Sequence, residues 1–248
     1  MTKLSDGITS QHRPLQRRDR LLTGLAVISV AVGSVVMLPR ADSQVNRTQR
    51  LVEQALALVP QRDRGARLYA ERCASCHGKD ATGDAETVTP SLAGQIDGYL
   101  IRELVDMAES NRPVSEMHRL LARPELTSAQ AIRDVTSHVA SLPRLAKPQV
   151  GNGQALPLGQ RVYETICLQC HGPEAQGDRA ALVPALQGQH YSYLLMQTRQ
   201  MPVSHGYDIG VETLERFEDL TLEELAAVSD YISRIKVDQR GDLIVQAD

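Results

Sequence analysis

The sequence predicts an all-α chain made of two tandem copies of one small helical module, preceded by an apolar leader. Three observations predict it. A shift of 94 residues lays the chain on itself without a gap: Gly65, Leu68 and Tyr69 fall on Gly159, Val162 and Tyr163, and Gly83-Asp84 falls on Gly177-Asp178. Pro90, Leu92, Gly94, Gln95, Tyr99 and Leu100 likewise fall on Pro184, Leu186, Gly188, Gln189, Tyr193 and Leu194. Apolar residues recur at helical spacing, and no convincing β-hairpin interrupts them. Between the copies, the run 142–153 carries two prolines and two glycines that break the periodicity and mark a boundary.

The elements follow in chain order. Residues 1–43 form the leader. Its uncharged run Leu21 to Leu38, 18 residues long, follows Lys3, Arg13, Arg17, Arg18 and Arg20. That length just spans a bilayer and is long for a signal-peptide core, so an uncleaved anchor is favoured. Ala41-Asp42-Ser43 offers a cleavage site and keeps the signal-peptide reading open. The basic flank points the N-terminus to the cytoplasm and both modules outward. Residues 44–61 read as a stalk or packing helix, with Leu51, Val52, Ala55, Leu56 and Val59 at helical spacing before Pro60.

The first module is expected over 62–145, a linker over 146–157, the second module over 158–238 and a tail over 239–248. Each module opens on a helix, Gly65 to Cys76 and Gly159 to Cys170. Middle helices follow at Tyr99 to Glu109 and Tyr193 to Gln200, and closing helices at Thr127 to Leu142 and Thr221 to Lys236. Thr221-Leu222-Glu223-Glu224 is a capping box with Thr221 as N-cap.

All four cysteines lie in two pentapeptides, Cys73-Ala74-Ser75-Cys76-His77 and Cys167-Leu168-Gln169-Cys170-His171. In this pattern two thiols add across the vinyl groups of one haem, and the following histidine ligates its iron. Zinc knuckles would stand ~15–20 residues apart. A redox dithiol wants a βαβ setting, and disulfides would leave both histidines unexplained. The expectation is two covalently attached haem c groups, held by Cys73, Cys76, Cys167 and Cys170, with His77 and His171 on the irons. Composition agrees: aromatic content is 3%, with no Trp and one Phe. Modules of about 80–90 residues are marginal on side-chain burial alone, and a porphyrin adds apolar bulk.

Without residues 1–43 the chain holds 21 basic and 27 acidic residues, a net charge of −6. That argues against a nucleic-acid-binding role. It is compatible with docking to a basic partner surface, and equally with an ordinary solvated acidic surface.

The order Cys-x-x-Cys-His-Gly, Gly-Asp, Pro-x-Leu-x-Gly-Gln, Tyr-Leu and a Thr/Ser-capped closing helix resembles class I c-type cytochromes. The tandem arrangement, over residues 62–238, resembles the dihaem cytochrome c4 family. The resemblance implies two mostly helical haem domains facing each other across a pseudo-twofold. It also implies His/Met ligation in each domain, and electron delivery to an oxidase or another periplasmic acceptor. In that family the distal methionine lies in the loop before the closing helix. Met117, 40 residues after His77, fits; Met107 in the middle helix and His118 are the alternatives. The second module departs from the pattern. Val211 stands 40 residues after His171, and no methionine follows Pro202. His205 is the first candidate for the sixth ligand, with Met201 or an open site beside Val211 as the others.

Further residues carry weaker expectations. Tyr99, Tyr193, Gln95 and Gln189 either bond haem propionates or simply pack. Arg102 and Arg112 are candidates to pair with propionates of the first haem, their counterparts being Met196 and Gly206. His138 and His190 read as surface or structural histidines. The leading function is a periplasmic electron relay between a respiratory or periplasmic donor and an acceptor, with oxidase, reductase or dehydrogenase proteins as partners and the inner membrane as its anchor. The alternative is an enzyme, or an enzyme's cytochrome subunit, whose open second haem acts on a small sulfur compound or peroxide.

Overall fold

The computed structural model describes residues 41–109, 115–201, 215, 217 and 219–237. The apolar run Leu21 to Leu38, Arg112, His205 and Val211 lie outside them. Among the described residues no helix is long and apolar enough to cross a membrane. The chain is helical: α1 Ala41–Ala57, α2 Arg62–Arg72, α3 Ala74–His77, α4 Asp97–Ala108, α5 Ser115–Leu121, α6 Ala129–Ala140, α7 Leu156–Val162, α8 Leu168–His171, α9 Tyr191–Gln200 and α10 Leu222–Ser233. Among the described residues, β structure amounts to the isolated bridges Asp84–Thr89 and Asp178–Val183, one per module at the same repeat position.

Helix ends follow local chemistry. Ser128, rather than Thr127, caps α6 by accepting from the Ala131 N–H at 3.1 Å. The capping box at Thr221 forms as expected, with Thr221 Oγ1 accepting from the Glu224 N–H and the Glu224 carboxylate accepting from the Thr221 N–H. The opening helices are less regular than their sequences suggest. In the first module the helix breaks at Cys73 between α2 and α3. In the second, one π-helical stretch, Tyr163–Cys167, joins α7 to α8.

In each module the opening helix crosses the closing helix at a glycine. A Cβ on Gly65 would sit 2.0 Å from the Asp134 carbonyl oxygen, and one on Gly159 would sit 2.1 Å from that of Ala227. Glycine alone lets the two backbones approach so closely. One turn on, Tyr69 packs against His138, with ring centroids 5.7 Å apart, and Tyr163 packs against Tyr231 in the same way. Tyr69 and Val135 in the first core, and Tyr163 and Val228 in the second, occupy matching places.

The pre-module helix α1 packs rather than standing free. Leu51, Val52 and Ala55 lie against Ile101 and Val105 of α4 and Ile132 of α6, with Ala55, Ile101 and Val105 fully buried. Each large aliphatic side chain so buried contributes about 1.5–3 kcal/mol. Leu56 and Val59, which the sequence grouped with this face, are 40% and 81% exposed; Val59 lies beyond the end of the helix at Ala57. Side chains of α6 hold the chain beyond it: Arg133 donates to the Leu58 carbonyl, Gln130 to the Val59 carbonyl, and Asp134 accepts from the Gln61 N–H.

The modules meet through a pair of related contacts. Gln95 donates its amide to the Ala185 carbonyl (2.8 Å) and accepts from the Ala185 N–H (2.9 Å). Gln189 does the same with Ser91, at 2.9 Å in both directions. Ser91 and Ala185 are 94 residues apart, as are the glutamines, so the bonds exchange under a local pseudo-twofold. Unpaired by this symmetry, His190 Nε2 donates to the Thr82 carbonyl, Ser192 Oγ to the Ala85 carbonyl, and Arg179 pairs with Asp97. Arg144, at the end of the first module, runs between Gly94 and Gly188, equivalent positions of the two copies, and its guanidinium donates to the Gly94 carbonyl.

Candidate functional site

The two attachment motifs present the same proximal geometry. The chain turns back after each histidine through a glycine of positive φ, Gly78 at 77° and Gly172 at 76°. The opening-helix tyrosine fastens that turn: Tyr69 Oη donates to the Gly78 carbonyl at 2.6 Å, and Tyr163 Oη to the Gly172 carbonyl. The imidazoles are then fixed from behind. His77 Nδ1 donates to the Pro90 carbonyl at 3.2 Å, and His171 Nδ1 to the Pro184 carbonyl at 2.9 Å. A carbonyl can only accept, so each ring carries its proton on Nδ1 and keeps the Nε2 lone pair for a metal. Burial lowers the pKa of both imidazoles, against the raising effect of the carbonyl bond, and so favours the neutral ligating form.

The four cysteines are not paired with one another. Cys73 is half-buried and Cys167 buried, whereas Cys76 and Cys170 are exposed. In the unmodified chain, burial pushes the Cys73 thiol up to about 11 and the Cys167 thiol up to about 12, with the second cysteine of each motif adding to the effect. The thiolate is the reactive form of cysteine, and burial disfavours it at Cys73 and Cys167.

Above His77 lies an apolar cavity of about 550 Å³, within the ~300–1,000 Å³ of typical ligand sites. Cys73, Cys76 and His77 line one side, and Leu100, Leu121 and Val135 add apolar wall. A shaped apolar slot with both thiols and an oriented imidazole at its edge fits a covalently held haem. Met117 and Met107 both line it. Met117 stands on the short helix α5 rather than in a loop. The alternative ligand His118 is half-buried, and its Nδ1 bonds the Met107 carbonyl at 3.1 Å, tying α5 to the end of α4. His205, the first candidate for the second iron, lies outside the described residues, while Met201 follows the end of α9. The aromatic pairs also correct the register. Tyr69 and His138 are 69 residues apart, Tyr163 and Tyr231 only 68, so the second module is one residue shorter before its closing helix.

Three other sets of singled-out residues are placed as follows. The glutamine amides face the opposite module rather than a propionate: each Oε1 also accepts from the next backbone N–H, Ile96 or His190. His190 is buried and structural, accepting from the Gln149 N–H at Nδ1 while donating to Thr82 from Nε2. Arg102 stacks over the Tyr99 ring, 5.6 Å from its centroid.

The cavity also has walls that sequence reasoning missed. Glu103, 4% exposed, lines it from α4, and Tyr193, Met196 and Gln197 line it from α9 of the other module. The 94-residue shift could have flagged Glu103, since its counterpart is the neutral Gln197. Nothing in the sequence could have announced that one module closes the other's cavity.

Comparison with known proteins agrees with this geometry. Residues 63–143 and 157–236 each match the Cytochrome c family. The cytochrome c4 of Pseudomonas aeruginosa is 32% identical over 168 residues, covering 64% of this chain and 82% of its own. A thiosulfate dehydrogenase electron acceptor of Stutzerimonas stutzeri is 34% identical over 137 residues, 52% of this chain and 62% of its own. Among solved structures, reduced recombinant cytochrome c4 from Pseudomonas stutzeri superposes with a TM-score of 0.62 at 24% identity, over 71% of this chain and all of that one.

Proposed function

Because the chain belongs to the cytochrome c family, as a two-domain dihaem protein of the cytochrome c4 type, we propose that it relays single electrons on the periplasmic side of a bacterial inner membrane. It carries two covalently attached haem c groups and is an electron-transfer protein that works with redox partner proteins. Bound haem supplies the one-electron iron couple, and the protein tunes it by ligation, charge and burial. The relay runs from a respiratory or periplasmic donor to an acceptor such as a terminal oxidase. The relative that is a thiosulfate dehydrogenase electron acceptor supports a dehydrogenase of a small sulfur compound as the donor.

The observation that carries this reading is the shared wall. Tyr193, Met196 and Gln197 of the second module line the cavity of the first. Two cofactors seated so that one module closes the other's site are arranged to exchange electrons with each other.

The residue roles follow. Cys73 and Cys76 hold one haem, and Cys167 and Cys170 the other. His77 and His171 bind the irons through Nε2, Met117 completes the first site and His205 the second. The haem domains extend over 62–145 and 158–238. The leader keeps the protein at the membrane as an anchor.

The test is a reconstitution. The purified protein should be reduced by a donor dehydrogenase and reoxidised by oxidase-containing membranes, and by itself should turn over neither thiosulfate nor peroxide. Sustained consumption of either substrate by the protein alone would overturn the relay and favour an enzymatic second haem.

A further inference from the structure

We infer, on the dihaem reading proposed above, that Gln189 and Gln95 are positioning residues that act on the proximal histidines across the module boundary. Gln189 of the second module sets the electron-donating strength of His77 in the first, and Gln95 of the first module does the same for His171 in the second.

Two bonds meet on one amide. The Pro90 carbonyl and the Ser91 N–H belong to a single planar peptide unit. Its oxygen accepts from His77 Nδ1 at 3.2 Å, and its N–H donates to Gln189 Oε1 at 2.9 Å. The equivalent peptide of the second module joins Pro184 to Ala185. Its oxygen accepts from His171 Nδ1 at 2.9 Å, and its N–H donates to Gln95 Oε1 at 2.9 Å. Each proximal imidazole is therefore linked, through one peptide, to a side chain of the other module.

The surroundings fix these bonds in place. A backbone N–H can only donate, so the oxygen of each glutamine amide faces the peptide. The amide nitrogen then donates to the Ser91 or the Ala185 carbonyl. The same oxygen takes a second bond, from the His190 or the Ile96 N–H. His77, Ser91, Gln95 and Gln189 are at most 9% exposed, so water competes little for any of these groups.

Hydrogen bonds in series polarise one another, by about 10–30% per bond. Donation from the Ser91 N–H moves electron density toward the Pro90 oxygen, which then holds the Nδ1 proton more firmly. A firmer bond at Nδ1 makes Nε2 the more basic ligand. A more basic ligand favours the ferric state and lowers the potential. Holding two modules together requires only that each glutamine reach some backbone group of the other module. Both glutamines instead land on the one peptide behind the other module's proximal histidine.

The experiment is potentiometric titration of the full-length dihaem protein, with the two waves assigned by NMR contacts between haem methyls and Leu121, which lines the first cavity. Gln189→Leu should raise the first haem's wave and leave the second in place, and Gln95→Leu should raise the second and leave the first. In the reduced protein the Nδ1 proton of His77 should move upfield in Gln189→Leu, as its hydrogen bond weakens. Gln189→Glu keeps an oxygen on the Ser91 N–H and should return that proton most of the way to its parent position. A merely structural role gives a different pattern, because an opened joint admits water to both modules and lowers both waves together. Both waves falling, each variant shifting only its own module's haem, or an unmoved first wave in Gln189→Leu would overturn the proposal. Haem content of two per chain, measured on the same samples, separates that failure from failure of the dihaem reading.

Discussion

Replacing Gln189 by alanine attacks the joint between the modules at its most concentrated point. Gln189 is 8% exposed and serves three backbone groups: the Ser91 N–H at 2.9 Å, the Ser91 carbonyl at 2.9 Å and the His190 N–H at 3.0 Å. Three net hydrogen bonds at about 0.5–1.5 kcal/mol each place the loss at about 1.5–4.5 kcal/mol, and it grows if the orphaned groups stay dry. The loss should fall on the joint rather than on either core, since Gln189 belongs to neither buried cluster. Gln95→Ala should cost a similar amount, because Gln95 makes the same bonds to Ala185 and Ile96. The double variant should lose less than the sum, since water admitted by the first change already solvates what the second exposes. Guanidinium unfolding followed at the haem bands reads the cost, and electron exchange between the haems reads the opening of the joint. Single variants within about 0.5 kcal/mol of the parent, the range of ordinary surface changes, would refute the view that these amides hold the modules together.

Gly159→Ala drives a Cβ to 2.1 Å from the Ala227 carbonyl, and Gly65→Ala does the same to 2.0 Å at Asp134. Each should destabilise its own module by about 1–3 kcal/mol or more, seen as a lower melting transition of that module's haem band, and an unchanged transition would contradict the close crossing. Asp97 gives a pH dependence. Burial pushes its carboxyl up, but the Arg133 hydrogen bond, the Arg179 charge and the Gly98 N–H outweigh it and hold the pKa below the ordinary 3.8. A depressed folded pKa stabilises fully above the unfolded value, and that contribution is lost as pH falls through the folded one. Acid unfolding of Asp97→Asn should lack this component, and identical acid curves would remove Asp97 from the joint. Met117→Ala should abolish the sulfur-to-iron charge-transfer band and lower the first potential while Met107→Ala leaves both intact; the reverse pattern would move the ligand to α4. Intact mass of membrane-associated native protein should retain residues 1–43, and a mature N-terminus at Gln44 in a soluble periplasmic fraction would exclude the anchor.

Much of the fold was legible because repetition makes each half a control on the other. The attachment motifs, the closing-helix cap at Thr221 and the helical face of α1 all rest on local spacing, which sequence displays directly. The two readings of the glutamines could not be separated beforehand, because a buried amide beside a cofactor pocket looks the same in sequence whether it faces a propionate or a neighbouring backbone. The closing helix of the second module lies one residue nearer its opening helix than the 94-residue shift gives, and only packing, through Tyr163 on Tyr231, shows this. Glu103 stayed hidden in an amphipathic run, where a carboxylate reads as solvated. Its burial depends on helices that meet it from outside its own stretch of chain.

The passage of Arg144 between Gly94 and Gly188 has a consequence for affinity. A symmetric contact between two free domains would be a dimer, subject to dilution. A short connector replaces bulk concentration with a local one of millimolar order. Association that would be half-complete only near millimolar in solution, worth about 4 kcal/mol, is then enough to keep the halves together at any protein concentration. The joint can therefore consist of a few amide contacts rather than a broad greasy surface. Severing the connector should turn one stable molecule into two halves whose pairing depends on how much of each is present.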